Sequence, residues 1–241
     1  MKHAIVSDIH SNLEALDAAL GTVSADCDLW CLGDIVGYGP QPNECIALIR
    51  ERASACVLGN HDVAAIDDHG LEYFNAMARD ALEYTQRVLT PENAAWLDGL
   101  PYELRLDNEL LVHGAPVTYF EYIFDKGAAR RAFEATDARI VFVGHTHVAE
   151  YWTLEPDGSI GHQHMQFPGS LTLDDGKRYI VDVGSVGQPR DLNRDASHVV
   201  YDPDERSVRW ERTPYEIGRV QEKIEQAHLP SILARRLAAG R

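Results

Sequence analysis

The sequence predicts an α/β fold in which a parallel β-sheet covered by helices is followed by a second, more antiparallel sheet. Strand and helix patterns alternate over the first 65 residues, whereas short strands alternate with turn signals over residues 149–210. Alternating strands and helices are typical of parallel sheets. The 241 residues, 45% of them hydrophobic, are enough for one large domain. We expect a single domain over residues 1–241, with a helical tail at about 216–241.

The first third of the chain is predicted to form a β-α-β-α-β series. Apolar runs predict strands at residues 3–6, 29–32 and 55–58. Ser11-Asn12 provides a helix cap before an apolar face formed by Leu13, Leu16 and Leu20. A second helix is predicted at residues 42–50.

The rest of the chain is predicted to mix helices with mainly antiparallel strands. Residues 71–99 predict two helices, the second beginning at Thr90-Pro91-Glu92, and a hairpin is expected from 104–106 and 109–113. A helix at 128–134 and a buried strand at 139–143 follow, and later turns such as Pro156-Asp157-Gly158 favour antiparallel pairing. The tail, interrupted at Pro230, could pack within the chain or build a homo-oligomer.

The charge and the apolar pattern exclude several classes of partner. A formal net charge of −16 argues against broad nucleic-acid binding. It still permits a small anionic substrate, because bound metal cations can reverse the local field. No apolar run approaches the ~20 residues of a membrane span, and Asp8 comes too early for a signal peptide. Four cysteines without C-x-x-C spacing predict reduced thiols in a cytoplasmic protein.

Five short polar motifs stand at or just beyond the predicted strand ends. They are Asp8-Ile9-His10, Gly33-Asp34, Gly59-Asn60-His61-Asp62, Val112-His113-Gly114 and Gly144-His145-Thr146-His147. Ligands bind at the carboxyl ends of strands in α/β sheets, so these motifs can converge on one crevice. Their carboxylates, amide and imidazoles suit Mn, Fe, Zn, Co or Ni better than Ca. The predicted metal ligands are Asp8, His10, Asp34, Asn60, His113, His145 and His147.

The other histidines are predicted to be packing or surface residues. They are His3, His69, His162, His164, His198 and His228. His162 and His164 do form a His-x-His pair, but no carboxylate stands beside them in the sequence.

Two other kinds of site do not fit the sequence. Residues 183–187 resemble a nucleophile elbow, but Val183 replaces the first glycine that the motif requires. There is no Walker loop, and Pro40 after Gly37-Tyr38-Gly39 prevents a dinucleotide fingerprint.

The five motifs resemble the signature of the calcineurin-like metallophosphoesterase superfamily. That signature runs Asp-x-His, Gly-Asp, Gly-Asn-His-Asp/Glu, x-His and Gly-His-x-His, and the match spans residues 5–147. Residues 7–16 and 183–190 further resemble a prokaryotic branch of small phosphodiesterases.

The resemblance implies a fold and a ligand set. The fold would be a four-layer αββα sandwich with two facing mixed β-sheets. Two divalent metal ions per chain are implied, Mn or Fe being favoured over Zn, Co or Ni. One ion would be held by Asp8, His10, Asp34 and His147, and the other by Asp34, Asn60, His113 and His145. Asp34 would bridge the two ions.

Two neighbouring residues are predicted to be catalytic. His61 directly follows Asn60 and is expected to protonate the leaving group, with Asp62 orienting its ring. A structural hydrogen bond is the alternative role for His61.

Three further residues are candidates for substrate binding. Arg190 could bind a phosphate or could pair with Asp191 or Asp195. Tyr38 and Tyr119 could line the cleft or could simply pack.

The favoured function is a phosphodiesterase acting on a small phosphate ester. Hydrolysis of nucleotides or dinucleoside polyphosphates, or of phosphomonoesters, is the alternative, because one metal centre serves all of these reactions. Phosphoprotein cleavage has less support, since the chain shows no extended docking insert. A metal-binding scaffold of the same fold is the non-enzymatic alternative, but such a protein is expected to have lost ligands.

Overall fold

Two six-stranded β-sheets lie face to face at the centre of the molecule. The computed structural model describes residues 1–67, 70–165, 167 and 169–241, so His69 lies outside the described residues. The strands are β1 (His3–Val6), β2 (Asp28–Cys31), β3 (Ala53–Cys56), β4 (Glu103–Leu106), β5 (Glu109–Val112), β6 (Ile140–Val143), β7 (Ala149–Leu154), β8 (Ile160–His164), β9 (Gly169–Thr172), β10 (Arg178–Val183), β11 (Ala196–Asp202) and β12 (Ser207–Thr213). The first sheet has the order β3-β2-β1-β11-β12-β9, and the second has the order β4-β5-β6-β10-β7-β8.

Helices cover the outer faces of the sheets. They are α1 (Leu13–Thr22), α2 (Pro42–Arg52), α3 (Asn60–Ile66), α4 (Ala76–Val88), α5 (Pro91–Asp98), α6 (Lys126–Ala135), α7 (Ile217–Gln226) and α8 (Ser231–Ala239), with a short 3₁₀ turn at Leu71–Tyr73. The Asn12 side chain caps α1 by accepting from the Ala15 amide, as the sequence predicts. Among the described residues, no helix is both long and apolar enough to cross a bilayer.

The predicted parallel arrangement of the first three strands is confirmed. β1 pairs with β2 and β2 with β3, both in parallel. The later strands do not form a sheet of their own, however. β7, β8 and β10 join the second sheet, whereas β9, β11 and β12 extend the first, with β11 antiparallel to β1. Both sheets are therefore mixed, and the four-layer sandwich is confirmed.

Three apolar layers hold the sandwich together. The layer between the sheets contains Ile5 and Trp30 from the first sheet and Phe142 and Val181 from the second. α1 and α2 pack on the outer face of the first sheet, and α6 packs on that of the second. Burial of these side chains stabilises the fold by about 25 cal/mol per Å² of apolar surface.

The C-terminal helices pack within the chain. Val220, Ile224, Leu233 and Leu237 from α7 and α8 are buried in a cluster with α4 and Tyr38. Tyr38 follows β2, so this cluster connects the tail to the loops at the carboxyl ends of the strands.

Candidate metal centre

The carboxyl ends of five strands bring the predicted ligands together. Asp8, Asp34 and Asn60 follow β1, β2 and β3, and His113 and His145 follow β5 and β6. Within each of these two sets the strands are parallel, so their carboxyl ends lie at a common edge. In two facing sheets, the two edges form one pocket floor.

Five of the predicted ligands have left-handed backbone conformations. Their φ angles are 53° for Asp8, 51° for His10, 51° for Asp34, 68° for His145 and 63° for His147. Such conformations are strained for residues other than glycine and occur mainly at functional sites. The surrounding backbone holds them: the His10 amide donates to the Asp34 carbonyl at 2.9 Å.

The first group of side chains surrounds Asp8. Its Oδ1 atom lies 3.1 Å from His147 Nε2 and 3.7 Å from His10 Nε2. The two imidazole nitrogens are 3.2 Å apart. Asp34 completes this group, and the four ligand atoms lie within 4.8 Å of one another.

The second group surrounds Asp34, His113 and His145. His113 Nε2 and His145 Nδ1 are 3.1 Å apart. Asp34 Oδ2 lies 3.3 Å from His113 Nε2 and 3.6 Å from His10 Nε2. The same carboxylate oxygen therefore faces both groups. These are the two groups that the sequence resemblance implied, although their ligation of metal stays a prediction.

Hydrogen bonds to backbone carbonyls fix how the imidazoles of the first group are protonated. His10 Nδ1 donates to the Val36 carbonyl at 3.0 Å, and His147 Nδ1 donates to the Gln188 carbonyl at 2.6 Å. In a neutral imidazole, the other nitrogen then carries only a lone pair. Two lone pairs 3.2 Å apart repel each other unless a positive charge lies between them.

The second group is arranged in the same way. His113 Nδ1 donates to the Leu32 carbonyl at 2.8 Å, and His145 Nε2 donates to the Phe120 carbonyl at 3.0 Å. Their remaining nitrogens face each other. Imidazoles that ligate metals are commonly held by such a bond from the second nitrogen.

Three buried oxygens in the same place lack partners. Among the described residues, Asp8 Oδ1, Asp34 Oδ2 and Asn60 Oδ1 accept no hydrogen bond. The other carboxylate oxygens are occupied, because Asp8 Oδ2 accepts from the His145 amide at 3.0 Å and Asp34 Oδ1 from the His61 amide at 2.8 Å. An unpartnered buried oxygen is costly, so these residues fit divalent cations.

The pKa values of the pocket histidines also indicate that the site fits divalent cations. Burial lowers the pKa of His113, but Asp34, Asp8 and the hydrogen bond to Leu32 together outweigh burial and raise that pKa to about 10. Burial lowers the pKa of His145 to about 3, and the neighbouring His113 contributes to this. The two aspartates therefore draw positive charge into the pocket, which is what bound cations would supply.

His61 lies beside these groups and opens onto the cleft. Its ring is 4.7 Å from that of His10 and 4.5 Å from that of Tyr38, and its Nδ1 has no hydrogen-bond partner. Burial lowers the pKa of His61 to about 4, although Asp34 opposes this. His61 lines the cleft, so its imidazole is placed to donate a proton to a substrate there.

The predicted contact between Asp62 and the His61 ring is wrong. Asp62 Oδ1 accepts from the Val36 amide at 3.0 Å, and Asp62 Oδ2 accepts from the Gly59 amide at 3.1 Å. Asp62 lies at the third position of α3, where a carboxylate folds back on the helix start. Burial and the charge of Asp34 raise its pKa to about 7. Asp62 thus holds two ligand loops together rather than orienting His61.

A cleft of about 680 Å³ lies over the metal centre. Tyr38 and Arg190 line it, together with Asn60, His61 and His145. Asp191 pairs with Arg212, and among the described residues Arg190 forms no ion pair with Asp191 or Asp195. Its guanidinium lies 3.4 Å from the Tyr38 hydroxyl and 3.3 Å from Gln188 Oε1.

Tyr119 is not among the residues that line the cleft. Its ring stacks on Tyr102, with centroids 5.1 Å apart. Tyr122 lines the cleft instead, and its ring stacks on the His145 ring with centroids 3.7 Å apart. The sequence places both tyrosines after the His113 motif, and only the backbone turns of the loop decide which one enters the cleft.

Two further cleft residues were not predicted from the sequence. Phe74 contacts His61, with ring centroids 4.7 Å apart, and Arg236 reaches the cleft from α8. Arg236 is far from every motif in the chain. Its only sequence signal was the amphipathic pattern of the tail, which left open where the tail would pack.

The comparisons with known proteins assign the family. A family model described as calcineurin-like phosphoesterase matches residues 1–149. The chain is also 37% identical to an uncharacterized protein of Methanocaldococcus jannaschii over 246 residues, 99% of this chain and 98% of that protein. The chain therefore belongs to the calcineurin-like phosphoesterase family. Together with the Asp/His groups, this membership indicates a metal-binding hydrolase.

Solved and curated relatives agree with this assignment. The crystal structure of a metallophosphoesterase from Sphaerobacter thermophilus superposes with a TM-score of 0.91 at 40% identity, covering 100% of this chain and 99% of that one. A symmetrical bis(5'-nucleosyl)-tetraphosphatase of Hamiltonella defensa is 30% identical over 118 residues, 46% of this chain and 42% of that protein.

Proposed function

We propose that the chain hydrolyses phosphoester bonds with two divalent metal ions, and that its preferred substrate is a small phosphodiester. One observation carries the proposal. Two pairs of imidazole nitrogens and two unpartnered aspartate oxygens converge at the floor of a cleft, with Asp34 Oδ2 between the pairs.

The residues that would hold the ions follow from these groups. Asp8, His10, Asp34 and His147 would hold one ion, and Asp34, Asn60, His113 and His145 the other. Bound divalent cations supply Lewis acidity to phosphate oxygens and make water a nucleophile at neutral pH. The mixed oxygen and nitrogen donors favour Mn or Fe, with Zn, Co and Ni as alternatives.

His61 acts on the leaving group. His61 lines the cleft, its buried Nδ1 has no hydrogen-bond partner, and Phe74 and Tyr38 pack against its ring and fix its orientation. The negative charge of a phosphate raises the pKa of a neighbouring imidazole. His61 can therefore take up a proton when substrate binds and donate it to the departing oxygen.

A dinucleoside polyphosphate is the second candidate substrate, supported by the upper part of the cleft. Arg190 and Arg236 both line it; Arg190 lies 3.4 Å from the Tyr38 hydroxyl, and Arg236 Nε donates to the Arg241 carbonyl at 2.8 Å. Guanidinium groups suit phosphate oxygens, and aromatic rings such as Phe74, Phe120 and Tyr122 suit a base. The partial likeness to the tetraphosphatase supports the same substrate class.

We further infer that the enzyme works in the cytoplasm. All four cysteines are free, and three of them are buried. Thiols in a reducing compartment need no partner.

A metal-resolved activity screen tests the proposed function. Protein loaded with Mn, Fe, Zn, Co or Ni is assayed against a bis ester, a monoester and a dinucleoside polyphosphate, with His61→Ala as the matched variant. We expect turnover of the bis ester with Mn or Fe, and a loss of about 10²–10⁴-fold in kcat for His61→Ala. No turnover of any ester with any metal would support the scaffold alternative, and full turnover by His61→Ala would exclude its role as proton donor.

A further inference from the structure

A second cluster of ligand-type side chains lies on the hairpin formed by β7 and β8. Glu150 on β7 pairs with His164 on β8, and Trp152 pairs with His162. Alternate residues of a strand share a face, so Glu150, His162 and His164 all project from one face of the sheet. Their ligand atoms lie within 4.8 Å of one another. None of the three belongs to the centre described above.

Both imidazoles approach the same carboxylate oxygen. His162 Nε2 lies 2.8 Å and His164 Nδ1 lies 2.9 Å from Glu150 Oε2. From the sequence these histidines lacked a neighbouring carboxylate; folding supplies one from the adjacent strand. The sequence pattern assigned both histidines to packing or surface roles, and it did not predict the group that they form with Glu150.

The cluster is fixed at its base and open at its rim. Glu150 is only 3% exposed, and the His162 ring stacks on Trp152 at 3.8 Å with an interplanar angle of 17°. The side chain of His164 is 69% exposed. A cation could therefore enter from solvent and meet two ligands whose positions are already set.

The surroundings favour positive charge at this point. Among the described residues, no lysine or arginine forms an ion pair with Glu150. Its cross-strand neighbour on β10 is another buried acid, Asp182. Asp182 has a partner of its own, because the Thr146 hydroxyl donates to Asp182 Oδ2 at 2.7 Å. A cation bound by Glu150 would compensate for the burial of the Glu150 carboxylate.

We propose that Glu150, His162 and His164 form a second, independent metal site that binds a borderline divalent transition metal, with Zn²⁺ as its natural ion. Two imidazoles and one carboxylate are a common zinc ligand set, and water completes the coordination on the open side. Such oxygen and nitrogen donors discriminate against Ca²⁺ and Mg²⁺, which prefer oxygen alone.

Zinc content at a buffered free concentration tests this proposal. Wild-type protein, His164→Gln and the control His228→Asn are dialysed against the same zinc buffer, and zinc per chain is measured by mass spectrometry. His164 and His228 are both exposed, so neither change removes core packing. Asparagine also tolerates the left-handed backbone of His228.

We expect His164→Gln to bind one zinc ion fewer per chain than wild type, with at least a tenfold weaker affinity at the lost site, while His228→Asn equals wild type. Zinc bound in the cleft contributes equally to all three proteins. A difference in zinc content between them therefore reports only on the site formed by Glu150, His162 and His164. Equal zinc content in wild type and His164→Gln would overturn the proposal, as would an equal loss in both variants.

Discussion

Hydrogen bonds to the backbone hold the side chains of the metal centre in place. The imidazole of His147, for example, is fixed at Nδ1 by the Gln188 carbonyl while its Nε2 faces Asp8. Asp8 is held in turn, because its Oδ2 accepts from the His145 amide. These aspartate and histidine ligands thus have one atom bonded to the protein and another facing the centre, which fixes the site before any ion binds.

Gly37 gives His61 the space that it occupies. Its φ is +87°, and a Cβ added there would lie 2.3 Å from His61 Nδ1. We expect Gly37→Ala to displace the imidazole and to lower kcat about 100-fold while the metal content stays at the wild-type value. The left-handed backbone should also cost about 1–2 kcal/mol of unfolding free energy. Steady-state kinetics, metal analysis and urea denaturation measure the three quantities.

Gly218→Ala is the matched control. An added Cβ at Gly218 meets nothing within 4 Å, and the residue lies in α7, where alanine is favoured over glycine. It should leave kcat unchanged. Unchanged kcat in Gly37→Ala as well would show that the position of His61 does not matter.

His198 on β11 should make the fold sensitive to acid. Burial lowers its pKa to about 4 from 6.5, and only Glu211 opposes this noticeably. Below pH 6.5 His198 is protonated in the unfolded chain but stays neutral in the folded chain. The free energy of unfolding therefore falls as the pH drops from 6.5 to 4. The loss is on the order of 3 kcal/mol.

Replacement by a neutral side chain should remove this dependence. We expect the unfolding free energy of His198→Gln to fall less than that of wild type between pH 7 and pH 5, as measured by urea denaturation. His228→Asn, which changes an exposed histidine, should follow wild type. Parallel curves for His198→Gln and wild type would contradict the assignment.

At the scale of elements, the strands were predictable and the loops between them were not. The apolar runs predicted β1 and the parallel strands beside it, and the cap at Thr90 predicted the start of α5. α3 was missed, because it begins at Asn60, inside the motif that was assigned to a strand end. The choice of Tyr122 over Tyr119 also depends on turns, such as the φ of 49° at Tyr119, for which the sequence has no glycine signal.

The C-terminal helix α8 should contribute to substrate binding through Arg236. This side chain lines the cleft, whereas Arg235 on the same helix is exposed and bonds Ser231. Loss of a charged hydrogen bond costs about 1.5–3 kcal/mol, so Arg236→Ala should raise KM for a dinucleoside polyphosphate about 10- to 100-fold. Arg235→Ala should not change KM. Equal KM values in both variants would place polyphosphate binding elsewhere.

At the scale of the whole molecule, the site exists because two sheets meet at one edge. Asp8 comes from the first sheet and His145 from the second, 137 residues later, and a direct hydrogen bond joins them. The sequence predicted this convergence through motifs at strand ends. It did not predict that β11 and β12 would extend the first sheet, because strand partners far apart in the chain leave no local pattern.

An anomalous scattering map of metal-loaded, active crystals tests the central claim most directly. The account predicts two peaks about 3.5–4 Å apart in the cleft. One should lie beside His10 and His147 and the other beside His113 and His145, with Asp34 Oδ2 between them. A single peak, or no peak at these residues in protein that still hydrolyses phosphate esters, would contradict it.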